Sequence, residues 1–207
     1  MRLHSLCAIM AVALTAIFTS CDGKPDVEGT WAGTMQQLAP GGQDGVTGPL
    51  VNSTVVTRIQ FIPIPSDSID GNIVLYSDIS AQDEIAEYNG ISLDVPYEVS
   101  VAATSNIKGT YKFVDDDDIA VYLDDSTLEV SIDPKAVKFT ANVLTGEQNP
   151  EIEKLREGQY WRFNSDIMAN MRLVYAKYQH ISDIEIKDNI LSCEVDDRDM
   201  TFRRVNQ

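Results

Sequence analysis

The stretch Val27-Glu28-Gly29-Thr30-Trp31-Ala32-Gly33-Thr34-Met35 decides how this chain is read. It alternates strictly. Val27, Gly29, Trp31, Gly33 and Met35 share one face, and Glu28, Thr30, Ala32 and Thr34 share the other. A period of two is the pattern of a half-buried strand. On the apolar face one very large ring stands between two glycines. A Trp so flanked plugs the end of a small barrel, with the glycines admitting a close neighbouring strand.

Outward from this strand the chain supplies more of the same. Residues 36–52 carry Pro40-Gly41-Gly42 and Gly48-Pro49, which predict a long loop. Val55, Thr57, Ile59 and Phe61 then share a face until Pro63 and Pro65 stop the strand. Asp70-Gly71 reads as a turn before a strand marked by Ile73 and Leu75. Residues 83–89 read as a helical turn or loop. Tyr97, Val99, Val101 and Ala103 alternate, Ser105-Asn106 reads as a tight turn, and Ile107, Gly109, Tyr111 and Phe113 alternate again. Acidic turns at 115–118 and 124–126 separate two further strands, which makes an antiparallel meander.

The period changes at Pro134, where residues 134–143 read as a short helix capped by Asp133. Pro150 opens a longer one with Asn149 as its cap. Its stripe runs through Ile152, Leu155, Tyr160, Phe163, Ile167, Met171, Val174 and Tyr178, widened by Trp161, Met168 and Tyr175. Three short strands follow, with turns at 187–189 and 196–199. On the last, Arg204 shares parity with Met200 and Phe202 and so points inward.

Gly29-Thr30-Trp31 on the first strand and Arg204 on the last resemble the lipocalin and lipocalin-like families. The resemblance implies a mainly β fold: an antiparallel lipocalin-like barrel of about eight to ten strands. Here the long amphipathic helix comes before the last strands. It also implies that Arg204 lies across Trp31 and closes the base, and that residues 36–52 cover the open end. A small apolar or amphipathic ligand would then meet a lining drawn from Phe61, Leu75, Tyr97, Val99, Tyr111 and Phe113. The alternative is a barrel filled by its own side chains, serving as an envelope structural or interaction protein.

The start of the chain predicts a destination. Met1-Arg2 precedes an almost wholly apolar run from Leu6 to Phe18, and Thr19-Ser20-Cys21 follows. This is the order of a secretory signal peptide, and the run falls short of the ~20 residues that span a bilayer. A Cys straight after small residues resembles the bacterial lipoprotein box, which implies cleavage before Cys21 and acylation of it. Acyl chains at ~0.8 kcal/mol per buried methylene would make a stable anchor. The expected division is a signal peptide over 1–20, a lipidated tether over 21–26 and one domain over 27–207. The expected place is the cell envelope, at the outer membrane.

The rest of the composition excludes more than it assigns. Sixteen Lys and Arg stand against 32 Asp and Glu, and the leader removes only Arg2 from that balance. So acidic a surface repels nucleic acid. Of the three Cys, Cys7 is in the leader and Cys21 is the acylation site. Cys193 is left without a partner and alternates with Leu191 and Val195 as core packing. His180 is the one His after the leader and reads as a helix-end cation rather than a catalytic base. Asp115-Asp116-Asp117-Asp118 lacks the spacing of a calcium loop and reads as a solvated turn. We therefore expect no metal, no cofactor and no catalysis, with a membrane and a small apolar ligand as partners.

Overall fold

A computed structural model describes residues 23–38, 53–64, 67–88, 91–140 and 150–205. Of the loop expected over 36–52, residues 36–38 belong to the first strand and residues 39–52 lie outside the described residues, as do Cys21 and Asn149. Nine strands and one long helix follow in the order β1 Gly29–Leu38, β2 Ser53–Ile64, β3 Asp67–Tyr88, β4 Ile91–Phe113, β5 Ile119–Ile132, β6 Lys138–Thr140, α1 Pro150–Ala176, β7 His180–Lys187, β8 Ile190–Val195 and β9 Asp199–Arg204. All pairings are antiparallel. Eight strands close a barrel-like ring in the order β1, β2, β3, β4, β5, β7, β8, β9 and back to β1, while β6 pairs outside it with β4. The long helix stands before the last three strands, as expected.

Period-two patterning builds the interior in rows that cross the strands in register. Trp31, Ile59, Leu75 and Ile107 form one row, and all four are essentially unexposed. Toward the start of β1, Phe61 and Ile73 lie in the next row, with Gly29 and Gly109 in register. In the other direction come Thr57, Ser77 and Ser105, and then Val55, Ile79, Ala103 and Ile132. Burying this apolar face is the main favourable term in the fold.

Several breaks expected from the sequence are absent. Asp70-Gly71 lies inside β3, as do residues 83–88, and Ser105-Asn106 lies inside β4. The glycine is there for contact: a Cβ at Gly71 would sit 2.4 Å from the Tyr111 ring across the pair. Ser105 is polar because a buried hydroxyl needs it, as described below. Residues 124–126 form a bulge within β5, where the register to β4 slips between Asn106 and Lys108. The stretch after Asp133 is a single 3-10 turn, Pro134–Ala136, followed by β6.

β3 and β4 run past the start of β2, whose register begins at Thr54 opposite Ser80. Their far halves form a two-stranded arm, with β6 against Glu98–Ser100. The helix lies against β4 and β5. It buries Leu155, Phe163, Ile167, Met171, Val174 and Tyr175, and Tyr178 follows in a 3-10 turn, Lys177–Gln179. Trp161, expected on this stripe, is 61% exposed on the other face. Arg162 reaches Asp83 of the arm at 2.7 Å.

The alternation in β1 breaks once. Between Ala32 and Met35 the strand advances one residue more than β2 does. This bulge turns Met35 outward, 69% exposed, although its parity places it with Trp31. Gln36 turns toward Met200 instead, its amide donating to Sδ at 3.9 Å.

Candidate functional site

At the start of β1 the ring is closed. Gly29 has φ +112, a backbone conformation that only glycine takes without strain, and it swings the chain from the tether into the strand. Trp31 is 0% exposed, and its Nε1 donates to the Val27 carbonyl at 2.7 Å. Arg204 stands opposite Trp31 in the β1–β9 register, its guanidinium carbon 4.4 Å from the centre of the indole. One of its terminal nitrogens donates to the Asp26 carbonyl at 3.2 Å. The tether thus belongs to the closure: Val27 is buried, and the Lys24 ammonium lies 5.2 Å over the Phe113 ring.

Aromatic rings fill this end. Phe61 meets Tyr111 edge to face at 5.2 Å, and Tyr111 meets Phe113 at 6.3 Å. Burial pushes the Tyr111 phenol up, and the carboxylates of Glu28, Asp26 and Asp70 push the same way.

The helix enters the middle of the ring. The Tyr175 hydroxyl lies 2.7 Å from Ser105 Oγ and donates to Ser77 Oγ at 3.1 Å; Ser77 in turn lies 3.2 Å from Thr57 Oγ1. All four are buried. Neighbouring strands bring the three short hydroxyls side by side, and the helix supplies the fourth. Buried hydroxyls cost free energy unless they bond to one another, and these do. Burial raises the Tyr175 phenol, though bonds from Ser105 and Ser77 oppose the shift. The sequence signal was present, because Thr57, Ser77 and Ser105 are polar residues at inward parity. What it did not say was which tyrosine would meet them.

Toward the other end lies a hollow of about 100 Å3. Val174, Tyr178, Val195 and Met200 line it together with Gln36, Lys177, Asp196, Arg198 and Asp199. The Tyr178 hydroxyl approaches Met200 Sδ at 4.0 Å, and Lys177 lies 3.8 Å from Asp196. Ligand sites for small organic molecules run to ~300–1,000 Å3, so this space suits only a few small atoms.

The six residues expected to line a ligand are not gathered around this hollow. Phe61, Tyr111 and Phe113 pack on one another at the closed end, and Leu75 lies in the Trp31 row. Val99 is buried in the arm, opposite Asp83. For Tyr97 only its place in β4, opposite Ile85, is described.

His180 is exposed and lies 3.8 Å from Asp118, beside the β5–β7 pair. Cys193 is buried, and desolvation pushes its thiol up to about 12. A thiol held there is protonated at neutral pH and is a poor nucleophile. Asp115 to Asp118 form a turn held by the Val114 amide on the Asp118 carbonyl at 2.9 Å. No cluster of His, Cys and acids able to hold a metal occurs among the described residues. No protein-family model, curated protein or solved structure matches the chain.

Proposed function

We propose that this is a lipid-anchored protein of the cell envelope whose ring is a self-filled body that works through its outer surfaces. One observation carries the reading: side chains of the helix and strands meet one another in the middle of the ring and at its closed end. Tyr175 of the helix is bonded to hydroxyls of β3 and β4 in the middle of the ring, and Phe61, Tyr111 and Phe113 meet edge to face at the closed end. A ligand placed among these residues would have to break that network and leave its hydroxyls unpaired. The leader, the small residues before Cys21 and the short tether support the anchor.

A second reading is a binder of a small apolar or amphipathic ligand, as the lipocalin-like pattern implies. The hollow beside Gln36 favours it, since Gln36 lies two residues from the end of β1. Native mass spectrometry of protein extracted from its host membrane separates the two. The self-filled reading expects the polypeptide plus acyl chains at Cys21 and nothing more. A retained small molecule that leaves on denaturation would overturn it in favour of the binder. Cys21→Ser should release the protein from membranes, and a variant that still sediments with them would end the anchor reading.

A further inference from the structure

We propose that the closed end of the ring rests on a zwitterionic lipid surface, with Ile62, Ile64, Val114 and Val205 as its contact rim. The proposal rests on the reading of Cys21 as the anchor and adds an orientation to it.

The tether follows a fixed path. Lys24 lies on Phe113, Arg204 bonds the Asp26 carbonyl, and Val27 is buried beneath Trp31. The tether is therefore fixed to the closed end and is not a free leash. Cys21 is three residues before Lys24 in the sequence, so its Cα lies within about 11 Å of that residue. Lipid held at Cys21 must lie close under this end. The arm lies at the far end: Asp83, against which Arg162 packs, is roughly 40 Å of strand beyond Asp70.

The exposed apolar side chains gather at the same end. Ile62 and Ile64 are 41% and 40% exposed at the end of β2. Val114 is 56% exposed just past β4, and Val205 is 41% exposed just past β9. These three strand ends all lie at the closed end, because Phe61, Phe113 and Arg204 pack there. Isolated exposed apolar residues need no explanation, but several at the end that holds the anchor do. The exposed charges that flank these strand ends in sequence are mostly acidic, Asp26, Glu28, Asp115, Asp116 and Asp117 against Lys112 and Arg203. A headgroup carrying both charges suits that rim better than an anionic one.

The test couples the anchor chemically, so it does not depend on acylation in the cell. The chain from Cys21 onward, which contains every described residue, is joined through that sulfur to a maleimide phospholipid in phosphatidylcholine vesicles. Buried Cys193 stays out of the reaction. The acyl chains carry bromine, which quenches Trp emission on contact. Val114→Trp reports the closed end, and the native Trp161 reports the helix beside the arm.

We expect the emission added by Val114→Trp to fall by roughly half or more, as for a side chain buried ~5–10 Å into the interface. Trp161 should keep its emission. Quenching that disappears in Trp161→Phe would overturn the orientation, as would no quenching at either site. Replacing an equal share of the lipid with phosphatidylglycerol should weaken the contact; unchanged quenching would overturn the choice of a zwitterionic surface. If Val114→Trp is already blue-shifted and dimeric without vesicles, the rim takes a second copy and the proposal fails. Acylation is read separately, from the mass of the Cys21 peptide of host-derived protein. Its absence would end the anchor reading while leaving the vesicle result to stand on its own.

Discussion

Trp31 is the residue on which the closed end depends. Its ring is unexposed, its Nε1 is bonded to Val27, and Arg204 covers one face. Trp31→Ala removes all three features and should cost ~3–5 kcal/mol, as large-to-small core changes do. Arg204→Lys keeps the charge but loses the planar stack and the reach to Asp26, and should cost less, ~0.5–2 kcal/mol. Urea unfolding of both variants checks the order, and an equal loss in each would contradict it. A second residue sets a pH dependence. Burial holds the Cys193 thiol at about 12, against 9.0 for a free one. As pH rises the unfolded chain loses this proton first. The group's contribution is therefore complete below pH 9.0 and is lost as pH climbs toward 12. Tyr175 and Tyr178 are also raised by burial and act in the same direction from their ordinary value of 10.0. Between those two onsets wild-type stability should fall by on the order of 1 kcal/mol per pH unit, and Cys193→Ala should show a flatter slope. Parallel slopes for the two proteins would remove Cys193 from the account.

The elements divide into those the sequence declared and those it concealed. Periodicity marked β2, the second half of β4 and the start of β5, because alternating apolar residues sit on a face that is buried along its whole length. The last two turns were legible too. Asp188 and Asn189, then Asp196 and Asp197, all have positive φ, which short polar residues tolerate in two-residue hairpins. The length of β3 and β4 was concealed. Gly71 and Ser105 look like breaks, but one makes room for a Tyr111 ring and the other bonds Tyr175. A contact with a distant residue leaves no local trace. The site was hidden for the same reason: the hydroxyl junction needs a helix residue 70 positions from Ser105. The helix itself was plain, since Phe163, Ile167, Met171 and Val174 recur at steps of three and four. Its attachment is mainly apolar. Ile167→Ala should cost ~2–5 kcal/mol. Asp83→Asn breaks the partly exposed pair to Arg162 and should cost under ~1 kcal/mol. Thermal melts of the two variants test this, and a larger loss from Asp83→Asn would mean that the ion pair holds the helix to the arm.

Across the whole molecule the ring is uneven. β3 and β4 pair continuously from Asp70 to Ile85, whereas β5 and β7 share only the register pairs Ile119–Ile181 and Ala120–His180. Just beyond them the Ile184 amide donates to the Asp117 carbonyl at 3.1 Å, and a bulge between Ser182 and Glu185 interrupts the register of β7 with β8, which resumes at Glu185. Most of β5 instead faces α1 and the 3-10 turn after it, with Val121, Leu128 and Ile132 buried. Closure between β5 and β7 therefore relies on side-chain packing, whereas β2–β3 and β3–β4 rely on long ladders. Local opening takes the least free energy where few backbone hydrogen bonds must break together. Native-state hydrogen exchange should accordingly find the Ile119 and Ile181 amides opening well below the global unfolding free energy. Ile73, Leu75 and Ile107 on the long ladder should exchange only with the whole fold. Weakening the packing with Ile167→Ala should lower the opening energy at β5 and β7 by more than it lowers global stability. Equal exchange energies at all five amides would show that the ring opens only as a unit, and that the helix does not hold its weakest junction.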